Sequence, residues 1–203
     1  PLDELEPSKL LPQDGFPQHP WIARREAYNS QETYFEGDLE RRKLAIAGYL
    51  ALCTFIDEKI GGVLRVLEET GLADDTVVIY SSDHGDNLGE RGLWGKSNMY
   101  LEASAVPMIM AGPDIPAGEI NRTPVNLTDL HATFLDGMGV ASLDDGHARP
   151  SASLLGMLGR SDQSRIVMSQ YHATGSPTGA FMVADARWKY HYYVDYTPEL
   201  FDL

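Results

Sequence analysis

Cysteine is nearly absent: Cys53 is the only one in 203 residues, so no internal disulfide can form and no zinc-finger spacing exists. That leaves the redox compartment open. Cations are scarce, with 16 Lys and Arg against 30 Asp and Glu and a formal net charge of −14. Phosphate backbones demand clustered Lys and Arg, so this balance argues against nucleic acid or an anionic membrane as a partner. An anionic substrate must be met by local groups. No run approaches the roughly 18 apolar residues of a membrane helix. The opening "PLDELEPSKLLPQDGF" lacks the basic and apolar regions of a signal peptide, which weakly favours the cytoplasm. Repeats and low-complexity segments are also missing. What remains, 43% hydrophobic and 23% charged residues, suits one sizeable core in a soluble globular protein.

Three segments emerge along the chain. Residues 1–37 carry Pro, Gly, Gln and aromatics without sustained period and read as an irregular excursion. From Asp38, apolar residues recur every three or four positions (Ile46, Leu50, Cys53, Ile56, Ile60, Val63 or Leu64, and Leu67), the stripe of a long helix with Cys53 as a core thiol. Gly71 suits the left-handed position that ends it. "TVVIYSS" is β-branched, apolar and bounded by turn signals, so it reads as a strand buried on both faces. "VPMIMAGPDIP" repeats strand then loop, and helix, loop and buried strand together predict an α/β domain over residues 38–150 with a mainly parallel sheet. "TDLHATFLDGMGV" has helical spacing. Residues 151–203 change character: "SRIVMSQYHA" and "GAFMVADARWKYHYYVDY", with a turn at "DAR", predict a small C-terminal subdomain of antiparallel strands.

The chemistry concentrates where "TVVIYSS" ends, in "DHGDNLGERGLWGKSNMYLE". Ligands gather beyond the carboxyl ends of strands in open α/β sheets, and Asp83 and His84 fall there. A carboxylate and an imidazole side by side can both ligate a divalent cation, while Gly85 removes bulk where the backbone turns. Two ligands are too few for a closed site, so others must come from elsewhere. The plain alternative is that Asp83 caps a helix starting near Gly85. Lys96 follows thirteen positions after Asp83, set among Gly95, Trp94, Met99 and Tyr100, an apolar setting where a cation makes sense beside an anion. An ordinary surface lysine is the alternative.

The stretch "DDTVVIYSSDHGDNLGERGLWGKSNMYLEASAVPMIMAGP" resembles the second signature region of sulfatases in the alkaline phosphatase superfamily, specifically the choline sulfatase-like and phosphonate monoester hydrolase-like branch. The resemblance covers most of residues 38–203. It implies an alkaline phosphatase-like sheet with flanking helices plus the small C-terminal antiparallel subdomain. It implies that Asp83 and His84 ligate a divalent cation, calcium or magnesium in sulfatases and often manganese or zinc in phosphonate hydrolases. Lys96 would contact the sulfate or phosphate oxygens, and His172 in "SQYHATG" would approach the substrate. The implied substrate is a small sulfate ester, or a phosphonate or phosphate ester.

The departures from the family pattern carry weight too. The C-x-P-S-R type motif whose Cys or Ser becomes the formylglycine nucleophile is absent; Cys53 is followed by Thr54, Phe55 and Ile56. The paired early aspartates that complete the metal site are missing, and His19 with Pro20 matches the expected histidine segment poorly. The chain therefore reads as the carboxyl-terminal portion of a sulfatase, with formylglycine expected upstream and strand edges left open to self-association into a homo-oligomer. Three readings follow: part of a sulfatase, part of a phosphonate or phosphate monoester hydrolase, or a non-catalytic fragment or binding module. Other features take plain readings. "NRT" and "NLT" fit the glycosylation sequon by chance, His131 and His147 have no partners at ligand spacing, and Asp86 and Glu90 are solvated. The cluster of Trp188, Tyr190, Tyr192, Tyr193 and Tyr196 is packing rather than a cation cage.

Overall fold

The computed structural model describes residues 2–5, 18–28, 38–140 and 150–203. Within the stretch read as an irregular excursion, Pro20–Tyr28 forms helix α1, with Pro20 at the first turn where its missing N–H costs nothing. Trp21 and Ile22 are fully buried, so this part belongs to the core. The rest of that excursion, residues 6–17 and 29–37, and the polar link with His147, residues 141–149, lie outside the described residues.

Asp38 opens the longest element. Its backbone is extended and its carboxylate accepts the Arg41 N–H at 3.0 Å, an N-cap for helix α2, Leu39–Glu69. Gly71 follows with φ +71°, the left-handed exit that a residue without Cβ adopts freely. Strand β1, Val78–Ser81, comes next. Residues 82–107 then hold the loop of interest and the single turn of helix α3, Leu101–Ser104, before strand β2, Met108–Ala111.

β1 and β2 pair antiparallel, Val78 opposite Ala111 and Ser81 opposite Met108, which corrects the expectation of a mainly parallel sheet. A parallel return needs a crossover, usually a full helix; here the connection folds back on itself with one helical turn, and the chain re-enters in the opposite direction. Among the described residues no parallel pair forms. β1 is also half-exposed rather than buried on both faces.

The α2 stripe is in register, yet no residue of the helix is buried, and Cys53 is exposed rather than a core thiol. The cause is spacing: a groove of about 1110 Å³ separates α2 from the β1–β2 ribbon, with Cys53, Ile60, Leu64, Val78 and Ile109 on its walls. Leu52 on that groove and Phe55 and Val63 away from it are also exposed.

Helix α4, Asp129–Gly137, follows. Its buried Asp129 accepts Arg165 Nη2 at 2.7 Å and Ala152 N at 2.9 Å on Oδ1, and Asn126 N at 2.7 Å on Oδ2. The chain then forms the expected C-terminal sheet, β3 (Val167–Tyr171), β4 (Ala180–Ala184), β5 (Trp188–Tyr193) and β6 (Glu199–Asp202), in that spatial order and all antiparallel. Its β4–β5 turn falls at Asp185, whose Oδ1 accepts the Arg187 and Trp188 N–H groups at 2.8 and 2.6 Å. β5 alternates strictly, with Lys189, His191 and Tyr193 inward and Trp188, Tyr190 and Tyr192 outward. The cluster of Trp21, Ile22, Leu93, Met99, Tyr100, Ala180, Met182 and Tyr193 forms the core. It joins α1, the segment after Leu93 and the inner face of the C-terminal sheet, so the loop carrying Lys96 is anchored on that sheet. Among the described residues, no helix is long and apolar enough to cross a membrane.

Candidate functional site

Asp83 leaves β1 two residues after its last member, and no helix starts at Gly85, so the capping alternative is not realised. Instead Asp83 Oδ1 accepts the His84 N–H at 3.0 Å, folding the carboxylate back over its own turn. The Gly85 N–H donates to Ala103 O at 2.9 Å, and Gly85 lies so close to α3 that a Cβ would collide with the Glu102 carbonyl oxygen. Glycine is needed here for space rather than for an unusual φ.

That turn fixes the histidine. His84 Nδ1 lies 2.8 Å from Gly85 O, and a carbonyl can only accept, so Nδ1 carries the proton and Nε2 the lone pair. Nε2 sits 3.4 Å from Asp83 Oδ2 and in contact with Lys96 Nζ, which donates to it. Three side chains selected from the sequence therefore meet at one point. The Asp83 side chain is 83% exposed and that of His84 38%, so the point opens to solvent.

Lys96 reaches His84 because the loop between them is clasped at its base. Asn87 is buried and donates both its backbone N–H and its side-chain amide to Gly95 O, each at 2.7 Å. The Gly89 N–H donates to Leu93 O at 2.8 Å within the same loop. Leu88, Arg91 and Ser97 all take positive φ, sparsely populated for non-glycine residues, the kind of local strain that functional loops hold. Arg91 is stacked on the Tyr100 ring at 4.7 Å rather than free in solvent.

Asp83, His84 and Lys96 line one part of a cavity of about 580 Å³ that also includes Met108, Met168 and Lys189 on its walls. Its walls mix apolar side chains with polar ones such as Ser104, Asn126 and Gln170. His172 is not on that wall; it follows β3 with its ring 5.0 Å from Phe181 in an edge contact. The five aromatics near the C terminus do not form one cage, since Tyr193 is buried on the inner face of β5 and Trp188, Tyr190 and Tyr192 lie on the outer. Both sequon asparagines have their amides engaged: Asn121 donates to Met157 O and Arg160 O at 2.8 and 2.7 Å, and Asn126 donates to Met168 O at 2.6 Å.

The structure adds a network that sequence reasoning passed over. Glu199 accepts from Tyr193 at 2.9 Å and Tyr100 at 3.2 Å, and faces His191 Nδ1 at 3.5 Å. Burial pushes both tyrosines up, with the Glu199 charge adding to it, and pushes the His191 imidazole down. Burial alone would raise Glu199, but the His191 and Tyr193 hydrogen bonds outweigh it and hold the carboxyl below its usual range. Lys189, also buried, is pushed down to about 8 by desolvation, partly opposed by Glu102. The one sequence signal was the strict alternation of Lys189, His191 and Tyr193 along a strand.

The donor set fits part of a divalent-cation site: an imidazole lone pair and a carboxylate oxygen face the same point, with the ring held by its other nitrogen as metal-binding histidines usually are. Among the described residues, no group of three or more His, Cys, Asp or Glu could hold a metal ion. The fit is therefore that of two ligands in a larger set.

Comparison with known proteins identifies the family. A family model described as Sulfatase matches residues 18–140. The chain is 34% identical over 155 residues to a choline-sulfatase of Rhizobium meliloti (strain 1021), covering 76% of this chain and 30% of that protein. It is 34% identical over 163 residues to arylsulfatase K of Danio rerio, covering 77% and 31%. Among solved structures it superposes on a phosphonate monoester hydrolase from Silicibacter pomeroyi with a TM-score of 0.83 and 28% identity, covering 99% of this chain and 44% of the other. The chain thus spans about a third of the curated relatives it matches. With the strand-end Asp83–His84 pair and Lys96 in the matched region, the alkaline phosphatase-like fold and these relatives agree: the chain belongs to the sulfatase family.

Proposed function

We propose that this chain is the part of a metal-dependent sulfatase that supplies two metal ligands, Asp83 and His84, and a substrate-contacting cation, Lys96, for hydrolysis of a small sulfate monoester. The observation that carries the reading is the His84 ring: its proton is held on Nδ1 by Gly85 O, so Nε2 presents a lone pair beside Asp83 Oδ2 and against Lys96. Bound there, a divalent cation would supply Lewis-acid stabilisation of the oxygens of the transferring group. Lys96 contacts the Nε2 lone pair that a metal ion would take, so with a cation held by Asp83 and His84 its ammonium would be free for the substrate oxygens. There it stabilises negative charge on the peripheral oxygens and can assist the leaving oxygen. His172, outside the cavity wall, is assigned a contact with the outer part of the substrate. No C-x-P-S-R motif occurs in these residues, so the formylglycine nucleophile that the family resemblance implies would be supplied from outside them.

A second reading, a phosphonate or phosphate monoester hydrolase, is supported by the structural likeness to the Silicibacter pomeroyi enzyme. Both reactions draw on the same ligand pair and lysine. Turnover of an aryl sulfate and an aryl phosphonate by a full-length polypeptide carrying these residues separates them. Preference for the sulfate supports the proposal, preference for the phosphonate the second reading, and no turnover of either with a divalent cation supplied the non-catalytic one.

A further inference from the structure

We propose that Lys189, on the C-terminal sheet, is a positioning residue for the Asp83–His84 turn, acting through Ser104 and α3. The assignment of the turn as a metal site rests on the function proposed above; the mechanical link does not.

The link is a chain of short contacts. Lys189 Nζ donates to Ser104 Oγ at 2.6 Å. With its acceptor site taken, that hydroxyl donates to Tyr100 O at 2.8 Å, closing the α3 turn on itself. The Ala103 carbonyl of the same turn receives the Gly85 N–H at 2.9 Å, and the Glu102 carbonyl comes close enough that a Cβ on Gly85 would collide with it. Gly85 O in turn fixes the His84 ring. Four links therefore run from a strand of the C-terminal sheet to Nδ1 of the His84 ring, whose other nitrogen, Nε2, faces Lys96.

Charge points the same way. Lys189 is only 4% exposed, and a lysine this buried is retained against a large desolvation penalty only where it meets something. What it meets is the Ser104 hydroxyl and, through space, Glu102, whose Oε2 is buried without a hydrogen-bond partner. Removing the ammonium strands that carboxylate on α3, beside Gly85. His191, the next inward residue on β5, is the other titratable group on this face close enough to sense Lys189. A methionine of similar shape would pack in the strand but could do neither job.

The test compares Lys189→Met and Ser104→Ala, singly and together, by amide hydrogen exchange on this chain. The Gly85 amide should exchange at least tenfold faster in either variant and no faster in the double variant, while the β1–β2 ladder and the middle of α2 keep their rates. In a full-length protein with turnover, Lys189→Met should lower kcat about tenfold and leave KM within twofold, because a displaced turn harms the transition state more than binding. Unchanged Gly85 exchange, or acceleration shared equally with the control amides, overturns the positioning role. The exchange result stands whether or not the protein hydrolyses sulfate esters, so failure of the link and failure of the functional reading are separable.

Discussion

Replacing Asp129 by alanine should loosen one wall of the cavity and cost more stability than any surface charge. The carboxylate is completely buried and accepts three hydrogen bonds, from Arg165, Ala152 and Asn126 at 2.7, 2.9 and 2.7 Å. Alanine removes the partner of a guanidinium whose side chain is only 18% exposed and strands two backbone N–H groups. Breaking a buried ion pair costs about 3–5 kcal/mol, and each orphaned N–H about 1–3 kcal/mol where water cannot reach it. The exposed edge of Arg165 allows some recovery, so a net loss of roughly 4 kcal/mol is expected. For a chain of this size that lowers Tm by on the order of 8–16 °C. Asparagine, isosteric and able to keep one acceptor, should lose about half as much. Thermal unfolding followed by circular dichroism measures both. A Tm within 2 °C of the parent for Asp129→Ala would show that the clip contributes nothing and that residues 124–127 are held by other contacts.

Three further outcomes follow from the geometry. Gly85→Ala should destabilise the chain by roughly 2–3 kcal/mol, since the new Cβ meets backbone oxygen rather than a movable side chain; an unchanged denaturation midpoint in urea would contradict the close approach of α3. Lys189 titrates near 8 in the folded chain against an ordinary value of 10.5, so the folded state binds fewer protons between those limits and stability from this group rises with pH across them. The parent should therefore gain on Lys189→Met by roughly 1 kcal/mol per pH unit from about pH 8 to 10; parallel stability–pH curves would refute it. Finally, calorimetric titration of this chain with calcium, magnesium or manganese should give weak binding or none, because two ligands do not make a site; a tight one-to-one isotherm would mean that further ligands lie within these residues.

Much of the local structure is legible in the sequence because it is locally determined. The α2 stripe, the Gly71 exit and the alternation along β5 each depend on residues within a few positions. Asp83, His84 and Lys96 were visible because unlike residue types crowd the end of an apolar strand. Pairing direction was not legible: nothing in "VPMIMAGP" states which way the chain runs when it meets β1, and the assumed helical crossover is a single turn. The exposure of Cys53 escaped for a related reason, since a stripe shows which face can be buried and not what lies opposite. Nothing near Asn87, Asp129 and Lys189 in the sequence signals burial; only their partners, eight to eighty-five positions away, reveal them as buried structural donors and acceptors.

The central claim is that Lys96 and the Asp83–His84 pair act on one sulfate group. Steady-state kinetics of Lys96→Ala in a full-length polypeptide with an aryl sulfate tests it most directly. A preorganised charge-stabilising contact is worth several kcal/mol in the transition state, so kcat/KM should fall by on the order of a hundredfold or more with the far-UV circular dichroism unchanged. Near-normal turnover in that variant would return Lys96 to the surface lysines and contradict the account.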